Sequence, residues 1–395
     1  MRTLNQIAAV TWLNIRNVPR RIASSVVIVI GVAAVVLVSA AVLSMAAGFE
    51  RTLVSAGSEN TAIVMRSGAT SEMSSGLSHE QALIIANAPG VARQGNQPVT
   101  SAELYVVVDV TKRSSDTEAN VPFRGVQEAA FSVRDGVEIV EGRMFETGRN
   151  ELVVGRAAQQ EFRGLEVGDT LRFGQTEWTV VGAFSARGSV SESELWTDVR
   201  VLQDVYRRGN SYQSVRVRLE NEAAFEAFAA AIADDPRLDT DVTTERDYYA
   251  AQAEGMTRFI RAVGYPLTFL MAIGAIFGAL NSMYSSISAR GKEIATLRAL
   301  GFGPVPVMVS TVVEAALLAL TGGAIGAAAA YLVFNGFRVS TLNGASFSQV
   351  VFNFDVTPAL LTQGMLAALA IGIVGGFFPA LRAARMQVAA ALREL

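Results

Sequence analysis

Residues 22–49 read "IASSVVIVIGVAAVVLVSAAVLSMAAGF", and none of these 28 side chains is charged. A helix rises about 1.5 Å per residue, so about 20 residues cross the ~30 Å hydrocarbon core of a bilayer. The apolar region of a signal peptide is shorter, at ~7–15 residues. The stretch therefore predicts a retained transmembrane helix over 22–47.

Three further apolar blocks follow later in the chain. Of its 395 residues, 51% are hydrophobic and only 17% are charged, which is too apolar for an ordinary soluble protein. Each block is long enough to cross a bilayer. We predict an α-helical membrane protein with four transmembrane helices, at 22–47, 262–289, 305–335 and 358–381.

Basic residues cluster on one side of this arrangement. Cytoplasmic loops of membrane proteins carry an excess of Lys and Arg. We therefore expect the N-terminal segment 1–21, the loop 290–304 and the tail 382–395 to be cytoplasmic, with 48–256 and 336–357 outside. The basic residues are Arg2, Arg16, Arg20 and Arg21 in the N-terminal segment, Arg290, Lys292 and Arg298 in the loop, and Arg382, Arg385 and Arg393 in the tail.

Residues 48–256 have the composition of a soluble domain. Short β-branched runs alternate with helical patterns, and two alternating runs flank Gly174-Gln175, which indicates a β-hairpin. We predict a mixed α+β extracytoplasmic domain, in two subdomains, inserted between helices 1 and 2. The domain holds 32 of the 36 acidic side chains and 20 of the 33 basic ones. We place these carboxylates on a solvated face, and the acidic excess disfavours nucleic acid as a partner.

The sequence contains no recognisable catalytic or metal-binding motif. There is no Cys, and the single His79 lies at the start of a predicted helix. A P-loop needs G-x-x-x-x-G-K-[ST], which does not occur around either of the two lysines, Lys112 and Lys292. We therefore predict a non-enzymatic chain with no cofactor or metal of its own.

The predicted membrane helices carry two features of interest. Three G-x-x-x-G pairs allow helices to pack closely, within the chain or against a second copy, although glycine is common in membrane helices. Glu314 lies within the third helix, where a carboxylate is either functional or paired with an Arg of the adjacent loop. The glycine pairs are Gly274/Gly278, Gly322/Gly326 and Gly372/Gly376.

The loop 290–302, "RGKEIATLRALGF", mixes charged and large apolar side chains and is predicted to be helical. Interleaved charges and leucines are suited to docking in a groove on a protein partner. A simple basic anchor for the membrane orientation would need the basic residues, but not Glu293 or the leucines.

Three stretches together resemble the MacB/FtsX-type permease family of ABC transporters. They are "RGKEIATLRALGFG" (290–303), "VEAALLALTGGAIG" (313–326) and "FFPALRAARMQVAAALREL" (377–395), the last containing Pro379, Arg382 and Arg385. "EGRMFETGRNELVVG" (141–155) and "WTVVGAF" (178–184) are similar to the periplasmic domain of that family. The family tail often has a Pro before its final "ALR", where this chain has "QVAAALR".

The resemblance implies a multi-pass protein of the bacterial inner membrane with both termini in the cytoplasm. It implies docking to a separate ATPase dimer that binds ATP and Mg, pairing with a second permease copy, identical or different, and contact with lipids and with a periplasmic membrane-fusion adaptor. The coupling residues implied are Arg290, Lys292, Glu293, Ile294, Leu297, Arg298, Leu300 and Gly301.

The function implied is efflux or export, in which ATP hydrolysis on the partner moves the periplasmic domain. Glu314 within "VEAALL" favours the MacB side of the family. A lipoprotein-releasing permease is the alternative within transport. An FtsX-like scaffold that controls cell-wall hydrolases is the alternative from another class.

Overall fold

The computed structural model describes residues 2–17 and 22–386. These residues form two compact units, a helical unit (within 1–47, 259–337 and 354–395) and an α/β domain (48–258 and 338–353). Arg20, Arg21, Arg393 and the "QVAAALR" part of the predicted tail lie outside the described residues.

Long helices make up the helical unit. Among the described residues, four helices are long and apolar enough to cross a membrane, namely α2 (Ile22–Val54), α8 (Glu245–Ala289), α10 (Pro304–Phe334) and α11 (Pro358–Ala384). Pro304 and Pro358 stand at the starts of α10 and α11, where a missing backbone N–H costs nothing. The helices are α1 (Arg2–Asn17), α2 (Ile22–Val54), α8 (Glu245–Ala289), α9 (Gly291–Ala299), α10 (Pro304–Phe334) and α11 (Pro358–Ala384), numbered along the chain.

Two of these helices extend beyond the predicted spans. The prediction ended the first span at residue 47 and began the second at 262, whereas α2 reaches Val54 and α8 begins at Glu245. Apolar length measures only the part of a helix that lies in lipid, so a polar continuation of the same helix falls outside the predicted span. Both helices therefore have residues in the helical unit and in the α/β domain.

Glycines allow close contacts in the helical unit at two of the three predicted pairs. A Cβ added at Gly322 would lie 2.5 Å from the carbonyl oxygen of Val29 in α2, and one at Gly326 would overlap the next turn of that helix. A Cβ at Gly372 or at Gly376 would lie 2.6 Å from an alanine Cβ of α10. Gly274 in α8 differs, since a Cβ there, as at Gly278, would meet no atom within 4 Å.

The α/β domain is built on one mixed sheet. Its helices are α3 (His79–Ala86), α4 (Ala130–Val133), α5 (Arg156–Glu161), α6 (Val199–Val205) and α7 (Ala224–Ala233). Its strands are β1 (Thr61–Arg66), β2 (Arg93–Gln94), β3 (Gln97–Pro98), β4 (Thr100–Thr111), β5 (Glu118–Val126), β6 (Glu138–Gly142), β7 (Glu151–Gly155), β8 (Thr170–Phe173), β9 (Thr176–Ser185), β10 (Leu195–Asp198), β11 (Ser214–Arg218), β12 (Thr240–Thr244), β13 (Arg338–Asn343) and β14 (Ser348–Asn353).

Within the described residues, ten strands join in the order β12-β1-β11-β4-β5-β10-β7-β9-β6, with β8 paired to β9. Strand β4 joins the two halves of this order, because its residues 100–103 pair with β11 and its residues 104–111 pair with β5. The expected division into two subdomains stays a prediction. The predicted hairpin at Gly174-Gln175 is confirmed, because β8 and β9 pair antiparallel on either side of it. Successive residues of a strand face opposite sides. Accordingly, Leu152 packs into one buried cluster and Val153 into another.

The segment 336–357 was predicted to be a loop, but its central part is a hairpin of the α/β domain. Strands β13 and β14 pair antiparallel from Arg338↔Asn353 to Asn343↔Ser348. The oxygens of Ser348 and Tyr105 lie 2.8 Å apart. The connection between α10 and α11 is therefore attached to the domain by side-chain contacts.

The expectation of a solvated acidic face is wrong for part of the domain. Glu72, Glu103, Glu194 and Glu245 are buried, and each pairs with a buried arginine or hydrogen-bonds to one. A carboxylate can be buried when a cation compensates it, and sequence composition does not show such pairing.

Candidate functional site: helix α9 and the Arg290 cluster

Helix α9 is a short helix between two long ones, and local sequence defines its end. Gly301 has φ +95, a left-handed conformation that suits glycine after a helix. Its N–H donates to the carbonyl of Arg298, and the N–H of Phe302 donates to that of Leu297. Pro304 then begins α10. The chain is thus directed from α8 through a separate nine-residue helix into α10.

One side of α9 is buried in the helical unit. Ile294 and Ala295 are 4% and 1% exposed. Ile294 belongs to a small apolar cluster with Ile287 of α8, Val307 of α10 and Ala383 of α11. The predicted coupling residue Ile294 therefore joins α9 to three other helices and does not lie on a free surface.

The other side of α9 is exposed. Lys292, Glu293 and Thr296 are exposed, and Leu300 is 72% exposed. Leu297, one of the predicted coupling residues, is only partly exposed. The exposed surface of α9 and its C-cap thus carries one basic, one acidic and one large apolar side chain.

Arg290 lies at the junction of α8 and α9 and is directed into the bundle. It is 5% exposed, and its Nη1 donates to Glu314 Oε2 of α10 at 2.8 Å. Its Nη2 donates to Asn14 Oδ1 of α1, and Asn14 Nδ2 donates to Ser310 Oγ at 3.2 Å. Arg290 Nε lies 3.6 Å from Glu293 Oε2. We call Arg290, Glu314, Asn14 and Ser310 the Arg290 cluster.

This geometry changes the interpretation of two predicted residues. Arg290 was expected on the docking surface, but burial and its pairing with Glu314 make it a connection inside the bundle. For Glu314, the structure has the pairing with a loop arginine that was one of the two alternatives. The sequence reasoning did not identify Asn14 or Ser310. A polar Asn14 one turn from Val10, on the face of α1 that is buried, is the one signal that could have suggested it.

Among the remaining predicted residues, Arg298 connects α9 with the end of α11. Arg298 Nη1 donates to the carbonyls of Ala384 and Met386, at 2.8 and 3.1 Å. Carbonyls at a helix end lack partners within the helix, so a cation there satisfies them and suits the helix dipole. Pro379 is buried within α11.

Two further arginines stand at that end of α11. The guanidinium of Arg382 lies 5.6 Å from the centroid of the Tyr284 ring of α8, and Arg385 is exposed at the C-cap of α11. Helix α9, with the preceding Arg290, is therefore linked to α1, α8, α10 and α11 on one side and is exposed on the other. The arrangement defines a multi-pass membrane protein in which the short helix α9 lies between the two long helices α8 and α10. Helices α2 and α8 continue from the helical unit into an α/β domain.

Comparison with known proteins identifies the family. Residues 23–235 match the family model described as the MacB-like periplasmic core domain, and residues 267–388 match that of the FtsX-like permease C-terminal region. The chain belongs to the MacB/FtsX-type family of ABC transporter permeases.

Named relatives agree with this assignment. The chain is 25% identical over 336 residues to the macrolide export ATP-binding/permease protein MacB 1 of Aeromonas hydrophila, covering 80% of this chain and 49% of that protein. It is 26% identical over 309 residues to MacB of Bradyrhizobium diazoefficiens, covering 73% and 45%. The chain thus spans about half the length of the curated relatives it matches.

Among solved structures, the periplasmic region of MacB from Actinobacillus actinomycetemcomitans is similar to part of the chain. The match has 13% identity and a TM-score of 0.35, and covers 49% of this chain and 92% of that one. The extracellular domain of the transporter YknZ matches with 15% identity and the same TM-score of 0.35, covering 47% of this chain and all of that one.

Proposed function

We propose that this chain is the permease subunit of an ATP-driven exporter and that a separate ATPase subunit docks on α9. ATP and Mg would bind to that ATPase. Hydrolysis would displace α9, and the bundle would convey the displacement to the α/β domain. The direction of transport would be export or efflux, by analogy with the relatives named above.

The observation that carries this proposal is the two-sidedness of α9. Its exposed side offers Lys292, Glu293 and Leu300, a mixture of charge and apolar surface that suits a groove on a protein. Its other side is tied to the bundle through Arg290, Ile294 and Arg298. A force that a docked ATPase applies to the exposed side would therefore be transmitted to several membrane helices at once.

The membrane setting follows from the same proposal. The chain would lie in the inner membrane of a bacterium, with its termini and α9 in the cytoplasm and the α/β domain outside. A second permease copy would complete the transporter, with one ATPase per permease. A periplasmic adaptor would be a further partner of the domain.

Co-purification of the ATPase with tagged permease variants tests the docking role. We expect Leu300→Ala to weaken recruitment about tenfold or more, since a buried Leu contributes ~1.5–3 kcal/mol and ~1.4 kcal/mol is a factor of ten. Glu293→Ala should weaken it at least as much, because truncating one member of a desolvated charge pair costs ~2–5 kcal/mol. Leu332→Ala is the matched control, because Leu332 of α10 is 81% exposed and distant from α9 in sequence.

Wild-type recruitment in Leu300→Ala and Glu293→Ala would contradict the assignment of α9 as the docking helix. The purified permease alone should not hydrolyse ATP. Hydrolysis by preparations free of any ATPase would overturn the division of labour between the two subunits.

A further inference from the structure

A cluster of buried charges lies at the centre of the α/β domain. It contains four carboxylates and three guanidinium groups, all at most 6% exposed. We call it the ionic hub, and its members are Glu72, Glu103, Arg124, Arg134, Glu194, Arg216 and Glu245.

The hub crosses several strands of the sheet. Arg124 of β5 donates two hydrogen bonds to Glu194, at 2.7 and 2.8 Å, and two to Glu72, at 2.7 and 2.9 Å. Arg134 donates two to Glu103 of β4, at 2.7 and 2.6 Å. Such bidentate pairs have a fixed relative orientation. The hub is thus a rigid set of directional contacts.

The first turn of α8 enters this hub. Glu245, Tyr248 and Tyr249 stand at positions i, i+3 and i+4, so they share one helix face, and all three are buried. Arg216 of β11 donates to the Glu245 carboxylate and, at 3.2 Å, to Tyr249 Oη. The backbone N–H of Glu72 donates to Tyr248 Oη at 3.3 Å.

The segment after α2 and the β13–β14 hairpin also connect the domain with membrane helices, and both contact the first turns of α8. A Cβ at Gly57, just after α2, would overlap the backbone of Arg246, so this segment packs directly on the start of α8. In the β13–β14 hairpin, Asn343 donates to Gln252 of α8 at 3.0 Å, and Ser348 contacts Tyr105. Tyr105 lies under the Arg124 guanidinium, 4.9 Å from ring centroid to Cζ.

A need for stability does not by itself account for so many buried charges, because a well-packed apolar cluster of the same volume is often as stable as a buried ion pair. What the charges add here is orientation. Apolar side chains tolerate sliding and rotation, whereas the bidentate pairs within the hub do not. Helix α8 joins this fixed set through the hydrogen bonds that Arg216 donates to Glu245 and Tyr249. Helix α8 has residues in both units without a break from Glu245 to Ala289.

We infer that Glu245, Tyr248 and Tyr249 are positioning residues that fix α8 to the sheet through the ionic hub, so that movement of α8 becomes movement of the whole α/β domain. This inference rests on the proposed function and adds to it the residues at which the domain receives the movement.

Distance measurements on the full-length permease with its ATPase test the inference. The chain has no Cys, so spin labels can be placed at Ser115→Cys, in an exposed turn of the domain, and at Leu332→Cys in α10. We expect ATP to change the distance between the labels in the wild type. Glu245→Ala should reduce that change by at least half, with ATPase recruitment retained.

The matched control is Glu151→Ala. Glu151 is also buried, at 8% exposure, and accepts two hydrogen bonds from Arg143 at 2.7 Å and one from the Glu146 N–H, which all lie outside α8. A hub that only stabilises the fold would make the two variants behave alike. We expect the ATP-dependent change to persist in Glu151→Ala.

Two milder variants decide the question if Glu245→Ala does not fold. Tyr249→Phe removes only the hydroxyl that accepts from Arg216, and Glu245→Gln keeps the volume and an acceptor oxygen. Both should reduce the ATP-dependent change, with Glu245→Gln retaining more of it than Glu245→Ala where that variant folds.

A wild-type distance change in folded Glu245→Ala and Tyr249→Phe would overturn the inference and leave the proposed function standing. No ATP-dependent change in the wild type, with the ATPase bound and active, would instead overturn the proposed function together with the inference.

Discussion

At the scale of single residues, burial decides what each charge near α9 does. Arg290 and Lys292 are two positions apart and carry the same charge, yet Arg290 is 5% exposed and Lys292 is exposed. Arg290 is held by Glu314 and Asn14. A buried charge and an exposed charge therefore predict different mutational effects.

Arg290→Ala should destabilise the helical unit strongly, by about 3–5 kcal/mol, because it leaves the Glu314 carboxylate buried without its cation. Lys292→Ala is the control and should change stability by less than about 0.5 kcal/mol. Thermal unfolding in detergent can be followed with a thiol-reactive dye on Ala383→Cys, a buried position in a chain without Cys. Equal unfolding temperatures for the two variants would contradict the Arg290–Glu314 pairing.

The ionic hub makes a second prediction at this scale, which concerns pH. Burial alone would raise the pKa of the Glu103 carboxyl, but the charges of Arg134, Arg216 and Arg124 outweigh it and lower the pKa from 4.5 to about 2. A group whose pKa falls on folding stabilises the folded state above its unfolded pKa. That contribution is lost as pH falls from about 4.5 to about 2.

Unfolding of the domain should therefore become easier over that pH window, and Glu103→Gln should show a flatter dependence there and a lower stability at neutral pH. Fluorescence of the buried Trp178 and Trp196 reports the domain, in a Trp12→Phe background. Glu80→Gln, an exposed carboxylate of α3, is the control. If Glu103→Gln left the pH dependence of unfolding unchanged, the Glu103 carboxylate would not be responsible for the loss of stability at low pH.

At the scale of elements, the contact of α10 with α2 depends on two glycines one turn apart. Gly322 and Gly326 both face backbone of α2, and backbone cannot move aside as a flexible side chain can. Gly274 and Gly278 of α8 have the same sequence spacing but no such neighbour. The motif alone thus does not distinguish a packed glycine from an open one.

Gly322→Ala and Gly326→Ala should each destabilise the helical unit by about 1–3 kcal/mol, the usual cost of adding a methyl group to a packed contact. Gly274→Ala should be neutral or slightly stabilising, because alanine favours helix by ~1 kcal/mol over glycine. Unfolding temperatures in detergent provide the comparison. A similar loss in all three variants would show that helix propensity or lipid contact dominates, and not the contact with α2.

At the scale of the whole molecule, the distribution of charge predicts the orientation in the membrane. The acidic α/β domain should lie outside and the basic ends of the bundle inside. In intact spheroplasts, an impermeant maleimide should label Ser115→Cys, and it should label Lys292→Cys only after the membrane is opened. Both positions are exposed, so access depends on the membrane and not on the fold. Labelling of Lys292→Cys alone would invert the topology.

The sequence alone determined the membrane helices, the inserted domain, the Gly174-Gln175 hairpin and the short helix α9. Each follows from local properties, namely apolar length against a fixed bilayer thickness, period-two alternation, or a glycine and a proline that end and begin helices. These signals lie within a few residues of the element they define, so they need no knowledge of the fold.

Only the tertiary structure decided which charges are buried and with what partner. Arg290 meets Asn14 across 276 positions of sequence, and Arg124 meets Glu194 across 70. From composition alone, such residues are expected at the solvated surface, because burying a charge is costly. The cost is offset only by a partner that the fold brings close, and composition does not show that partner. The exposed side of α9, the Arg290 cluster and the attachment of α8 to the ionic hub therefore follow from packing over long sequence distances.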